Sequence, residues 1–171
     1  MLKLTFYMKQ VSEDVLVLRL FWGFRIVFLL LFALIAGSMY IPGDVSSAGS
    51  SPLAVILLIL FAGIAVYDEK WLFNKPEGIV THIHGIVILG RKTTFAVHDI
   101  SHIEVSEFRK GSIGGEDKKR AFQRDLLRLS IVLSESGSKD IEITEKKNLA
   151  DLRSKAAAIA GFMNLSYHSK V

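Results

Sequence analysis

Two long apolar runs near the N-terminus, Leu20 to Ile41 and Leu53 to Tyr67, constrain this chain more than any other feature. Runs of this length and apolarity mark the chain as a membrane protein before any motif is considered. At a rise of ~1.5 Å the first run, Leu20 to Ile41, is ~33 Å long, against a bilayer hydrocarbon core of ~30 Å. The second is shorter, about 16 residues from Pro52, with Trp71, Leu72 and Phe73 extending its apolar reach beyond Asp68, Glu69 and Lys70. The expectation is a two-helix transmembrane hairpin over residues 20–69, with spans at about 20–41 and 52–68. Arg25, near the start of the first span, reaches headgroups by its long stem, and Tyr67 and Trp71 suit the membrane interface.

A cleaved signal peptide does not fit the first run. Its apolar stretch exceeds the ~7–15 residues of such a segment, and a fairly polar stretch precedes it. Flanking charge sets the orientation: Lys3, Lys9, Arg19 and Arg25 precede or open the first span and Lys70 and Lys75 follow the second, whereas the Pro42–Ser51 connector has Asp44 and no cation. The positive-inside rule then predicts a multi-pass inner-membrane protein with both termini cytoplasmic. Half of the 171 residues are hydrophobic and 22% are charged, as expected of a chain part membrane and part soluble. The absence of cysteine excludes disulfides, thiolate metal sites and cysteine nucleophiles.

Residues 70–171 read as strands followed by one helix. Trp71–Phe73 starts an extended segment, Asn74 to Gly78 has turn residues, and Ile79–Leu89 is rich in β-branched residues with a break at Gly85. A turn at Gly90-Arg91-Lys92 leads to Thr93–Val97, and further strands are expected at Ile103–Phe108, Leu126–Leu133 and Asp140–Thr144. The period then changes: Leu149, Leu152, Ala156, Ile159 and Met163 form the stripe of an amphipathic helix, with Asn148 as its N-cap and Asp151 in its first turn. For residues 1–19 two readings stay open: Leu2–Met8 is a strand of the same domain or an interfacial stretch, and Ser12-Glu13-Asp14 starts the helix entering the membrane.

The Trp-x-Phe strand, the turn ending in Gly78, the hairpin closed by Gly90-Arg91-Lys92, Asp99-Ile100 with Ile103, the charged loop, the Leu-rich strand with Ser136-Gly137 at its turn, and the Ala-rich terminal helix follow in order. This succession, over residues 68–165, resembles bacterial pleckstrin-homology-like (PH-like) domains attached to membrane hairpins. The resemblance implies an α+β protein: the transmembrane hairpin followed by a small antiparallel β-sandwich or barrel capped by a C-terminal helix. It implies binding and assembly roles and carries over no active-site residues. Arg91 and Lys92 hint at the basic pair that eukaryotic relatives use for inositol lipids.

Two clusters invite chemistry. His82 and His84 share a strand face, His98 and His102 flank a short turn, and Asp99 lies between them, which would suit zinc if all converged. Spacing alone gives the two pairs no reason to meet, so solvated or hydrogen-bonded histidines are expected, with no metal and no cofactor. The loop from Arg109 to Arg124 carries Arg109, Lys110, Lys118, Lys119, Arg120 and Arg124 among Glu116, Asp117 and Asp125. Near an anionic leaflet each such cation contributes ~1 kcal/mol of attraction. A solvated loop, a lipid contact and a partner contact are the alternatives.

Net charge is +4, but cations are dispersed among acids and no recognition helix appears, so nucleic acid is not an expected partner. No nucleophile motif or carboxylate pair marks an active site, so no enzyme is expected. The sequence therefore points to a non-catalytic, membrane-anchored binding or assembly factor for another membrane protein, with anionic-lipid binding through residues 109–124 as the alternative. Self-association through Ala33, Ala36, Gly37, Ala62 and Gly63 is a third reading.

Overall fold

The computed structural model describes residues 6–40, 52–86, 89–110, 124–135 and 137–171. Among these, nine strands form two sheets. The first contains β1 (Phe6–Ser12), β2 (Val15–Leu20), β3 (Tyr67–Asn74), β4 (Ile79–Ile86) and β5 (Arg91–Ala96), paired in that order and antiparallel throughout. The second is built from β6 (Ile100–Lys110), β7 (Arg124–Leu133), β8 (Gly137–Glu145) and β9 (Ser166–Lys170) in the order β8-β7-β6-β9, with β9 parallel to β6. Three α-helices complete the fold: α1 (Gly23–Tyr40), α2 (Pro52–Ala65) and α3 (Leu149–Met163).

The core forms where period-two side chains of both sheets meet the stripe of α3. Leu16, Leu18, Trp71, Phe73 and Val80 from the first sheet join Ile103, Val105, Leu127, Leu129 and Ile131 from the second. From α3 come Leu152, Ala156, Ile159 and Met163, the 3–4 spacing read in the sequence. Asn148 does not cap this helix with its side chain; a 3₁₀ turn precedes it, and Asn148 Nδ2 donates instead to Thr144 Oγ1 at 2.7 Å. Asn164, in the left-handed region at φ 56°, ends α3 and lets the chain return as β9.

The expected transmembrane architecture is overturned. The fold is mostly β-sheet, and among the described residues no helix is long and apolar enough to cross a membrane. Strand pairing accounts for much of the difference, because it takes the ends of both apolar runs: Leu20 pairs with Phe6 in β2, and Tyr67 and Asp68 pair with Ile86 and Gly85 in β3. What remains helical is 18 residues in α1 and 14 in α2, or ~27 Å and ~21 Å. The transmembrane hairpin, and with it the multi-pass inner-membrane placement with both termini cytoplasmic, is corrected accordingly.

The described residues before the first run, 6–19, are strands and a turn, not a helix start, and residues 2–5 lie outside the described residues. Glu13 and Asp14 form the turn between β1 and β2, and β2 pairs directly with β3. The helical pair is therefore an insertion between neighbouring strands. Since Arg19 stands opposite Lys70, α1 must leave the sheet where α2 returns to it.

Candidate functional site

Water is a poor surrounding for the helical pair. α2 carries no charged residue, and α1 carries only Arg25. The helices pack on each other through Phe28 and Phe61, with ring centroids 5.8 Å apart, yet much of their surface is uncovered. Ile26, Val27, Leu29, Leu30, Leu31 and Leu34 are exposed on α1, and Leu53, Ile56, Ile59 and Leu60 on α2. At ~100° per residue the exposed α1 positions sweep roughly 200° of its circumference. A docking helix would expose a narrower stripe; this one is apolar on every side its partner helix leaves open.

At the root of the pair the chemistry changes within a few residues. Phe21 and Trp22 are exposed, Trp22 at 65%, immediately before α1. On the outer face of the first sheet, strand register places Arg19, Lys70, Ile83 and Lys92 side by side across β2, β3, β4 and β5. Arg19 Nη2 lies 3.2 Å from Asp68 Oδ2 and Arg25 Nη2 lies 2.5 Å from Asp68 Oδ1. Arg25 Nε also donates to the Tyr67 carbonyl at 3.1 Å, tying α1 to β3. Lys70 and Lys92 have no carboxylate partner among the described residues, so four cations here face one carboxylate. An apolar rod, an exposed aromatic collar and a cationic row thus follow one another.

The inner face near the same root is polar in a different way. Trp71 stacks on His82 at 4.0 Å and His82 on His84 at 4.7 Å. His82 Nε2 lies 3.0 Å from Glu69 Oε1, and the Tyr67 hydroxyl donates to Glu69 Oε2 at 3.1 Å. Burial and the adjacent Glu69 carboxylate push the Tyr67 phenol up to about 12, so it remains a donor at neutral pH. Between this face and the helices lies an apolar cavity of about 550 Å³, lined by Phe24, Phe28, Ile59, Leu60, Gly63, Ile64, Tyr67 and Ile86.

The histidines of the sequence reading do not converge. His82 and His84 sit in β4, His102 in β6 stacks on His168 at 4.4 Å, and His98 lies exposed, its Nε2 3.2 Å from Asp99 Oδ1. Among the described residues no three His, Asp or Glu side chains are grouped to hold a metal. His98 and Asp99 line a second cleft of about 380 Å³ with Ser134 and Glu135. No nucleophile is paired with a base there, and His98 and Asp99 are open to solvent.

Of the expected contact residues, Arg91 and Lys92 lie within β5 rather than in a turn. Arg109 and Lys110 end β6 and Arg124 begins β7, in register Arg109 with Asp125 and Lys110 with Arg124. Lys118, Lys119 and Arg120 lie outside the described residues. The sequence reading missed the row joining Lys92 to Lys70 and Arg19, because three strands far apart in the chain compose it. Its one local signal was the positive charge flanking both apolar runs.

No family model matches this chain, and no curated protein matches its sequence.

Proposed function

We propose that this chain is a non-catalytic binding module held at a lipid surface, with the α1–α2 pair buried in acyl chains from one face of the bilayer. The observation carrying this reading is the breadth of exposed apolar surface on α1 and α2, bounded at its root by Phe21 and Trp22 and by the Arg19, Lys70 and Lys92 row. Lipid covers a rod from all open sides, aromatic side chains favour the interface, and cations favour anionic headgroups. At ~27 Å and ~21 Å both helices fall short of the ~30 Å hydrocarbon core, which suits an anchor that enters from one face without spanning. The reading of the β-rich domain as PH-like rests on the order of sequence motifs over residues 68–165 alone, and β9 follows the helix that this reading places at the C-terminus.

Flotation of the purified chain with vesicles tests this. It should float with neutral phosphatidylcholine and more strongly when phosphatidylglycerol is added. The double variant Lys70→Gln, Lys92→Gln should lose most of that increment, roughly 30-fold at low salt for two cations at ~1 kcal/mol each. Raising salt should shrink the increment but leave the neutral binding intact. A chain that stays out of the vesicle fraction altogether refutes the reading.

One feature favours a protein partner in addition. Among the described residues β1 is an edge strand of its sheet, with only β2 beside it, and it exposes Tyr7, Met8 and Val11. An extended segment of another membrane protein would pair there, as in strand addition. Cross-linking in cells through position 8 or 11 tests it, with one partner near equal stoichiometry as the expected result.

A further inference from the structure

We propose that the apolar cavity at the root of the helical pair is a binding site for one anionic phospholipid, one acyl chain entering the cavity and the phosphate lying at Arg91. The inference rests on the lipid-surface reading above and goes beyond it, because a helical pair lying in a bilayer needs no such site. Its volume of about 550 Å³ lies within the roughly 300–1,000 Å³ of small-molecule sites. Phe24, Phe28, Ile59, Leu60 and Ile64 supply apolar walls, and the rim residues Ile59, Leu60 and Ile86 are exposed. The mouth is therefore continuous with the apolar outer surface of the helices.

Gly63 keeps the cavity open. Glycine weakens a helix interior, yet a Cβ built at Gly63 would meet no atom within 4 Å. No neighbour forces the residue to be small, so what its missing side chain supplies is space.

The other end of the site is polar. Tyr67 and Ile86, which line the cavity, stand opposite each other in β3 and β4. Two residues along, about 7 Å at strand rise, the same face carries the row Glu69, His84 and Arg91. Glu69 is engaged by Tyr67 and His82. His84 Nδ1 is buried without a hydrogen-bond partner, and exposed Arg91 has no carboxylate partner among the described residues. An exposed guanidinium without a carboxylate partner suits a phosphate oxygen, which accepts from it.

Native mass spectrometry of the delipidated full chain in non-ionic detergent, titrated separately with phosphatidylglycerol, phosphatidylcholine and oleate, tests this. One phosphatidylglycerol should be retained per chain, with phosphatidylcholine and oleate at least 5-fold weaker. Gly63→Leu should lower occupancy by all three at least 10-fold, and Gly63→Ala by less. Arg91→Gln should weaken both phospholipids and narrow the preference for phosphatidylglycerol, because only the choline cation of phosphatidylcholine opposes Arg91. Flotation of the unmodified chain with neutral vesicles reads insertion of the helices independently of occupancy of the cavity. Undiminished lipid adducts in Gly63→Leu overturn the proposal, and oleate binding as tightly as phosphatidylglycerol overturns the phosphate assignment. If the unmodified chain itself fails to float, the lipid-surface reading falls, and this proposal with it.

Discussion

Replacing Leu34 with Asp separates a helical pair in water from one in hydrocarbon. Leu34 is 69% exposed and lies eleven residues beyond Gly23, ~17 Å from the root of α1. If water surrounds it, an exposed apolar-to-polar change costs or gains no more than about 0.5 kcal/mol. If acyl chains surround it, an aspartate costs ~2.5–3.5 kcal/mol and the lost leucine adds ~0.5. The sum of ~3–4 kcal/mol, at ~1.4 kcal/mol per decade, predicts a fall of roughly 100- to 700-fold in partition to neutral vesicles. Ser138→Asp, which adds the same charge on exposed β8, should leave partition unchanged. The assay is flotation over a series of phosphatidylcholine concentrations, with circular dichroism to confirm that both variants fold. Leu34→Asp floating within 3-fold of the unmodified chain would refute the assignment of α1 to an acyl environment.

Three further outcomes concern the domain that carries the helices. Lys155, nearly buried on α3, sits 3.1 Å from Glu142 Oε2 and 2.9 Å from Asp151 Oδ2; Lys155→Met should cost ~3–5 kcal/mol in urea unfolding, and adding Glu142→Leu should restore most of it. Burial holds the Glu142 carboxyl above its usual range, only partly offset by Lys155, so its contribution is full at low pH and lost as pH rises through the folded value. Losing Lys155 raises that value further, and the penalty should be greater near pH 8 than at about pH 5. The hydrogen bond from Lys170 holds Glu104 below the usual carboxylate range, so this stability is present above ~4.3 and lost as pH falls through the folded value; Lys170→Gln should flatten the acid limb of a urea-midpoint profile. Gly85, at φ +132°, would place a Cβ 3.0 Å from the Gly90 Cα, so Gly85→Ala should cost ~1–3 kcal/mol, read as a lower melting temperature.

Much of the strand content was legible because it is written in period two. The Leu126–Leu133 alternation became β7, with Leu127, Leu129 and Ile131 fully buried, whereas β4 runs through Gly85, where a break was expected, with that glycine at positive φ. β9 was not legible: Ser166 to Lys170 is short and polar, and it is a strand only because β6 offers it an edge. The boundaries of the helices failed for a related reason. Leu20 and Tyr67 are as apolar as their helical neighbours, and only pairing with Phe6 and Ile86 makes them strand residues.

Hydrophobicity without polar interruption is a local property, so two helical, apolar segments in need of cover were legible before any contact was known. So was the stripe of α3, which its 3–4 spacing dictates. Only the tertiary structure decided where the helices end, that β2 and β3 are neighbours across the inserted pair, and that Arg19, Lys70 and Lys92 form one row. Register between strands distant in the chain is a property of pairing and of the core that both faces must fill. The cavity beside Gly63 arises in the same way, from two helices and two strands meeting around a residue that leaves them room.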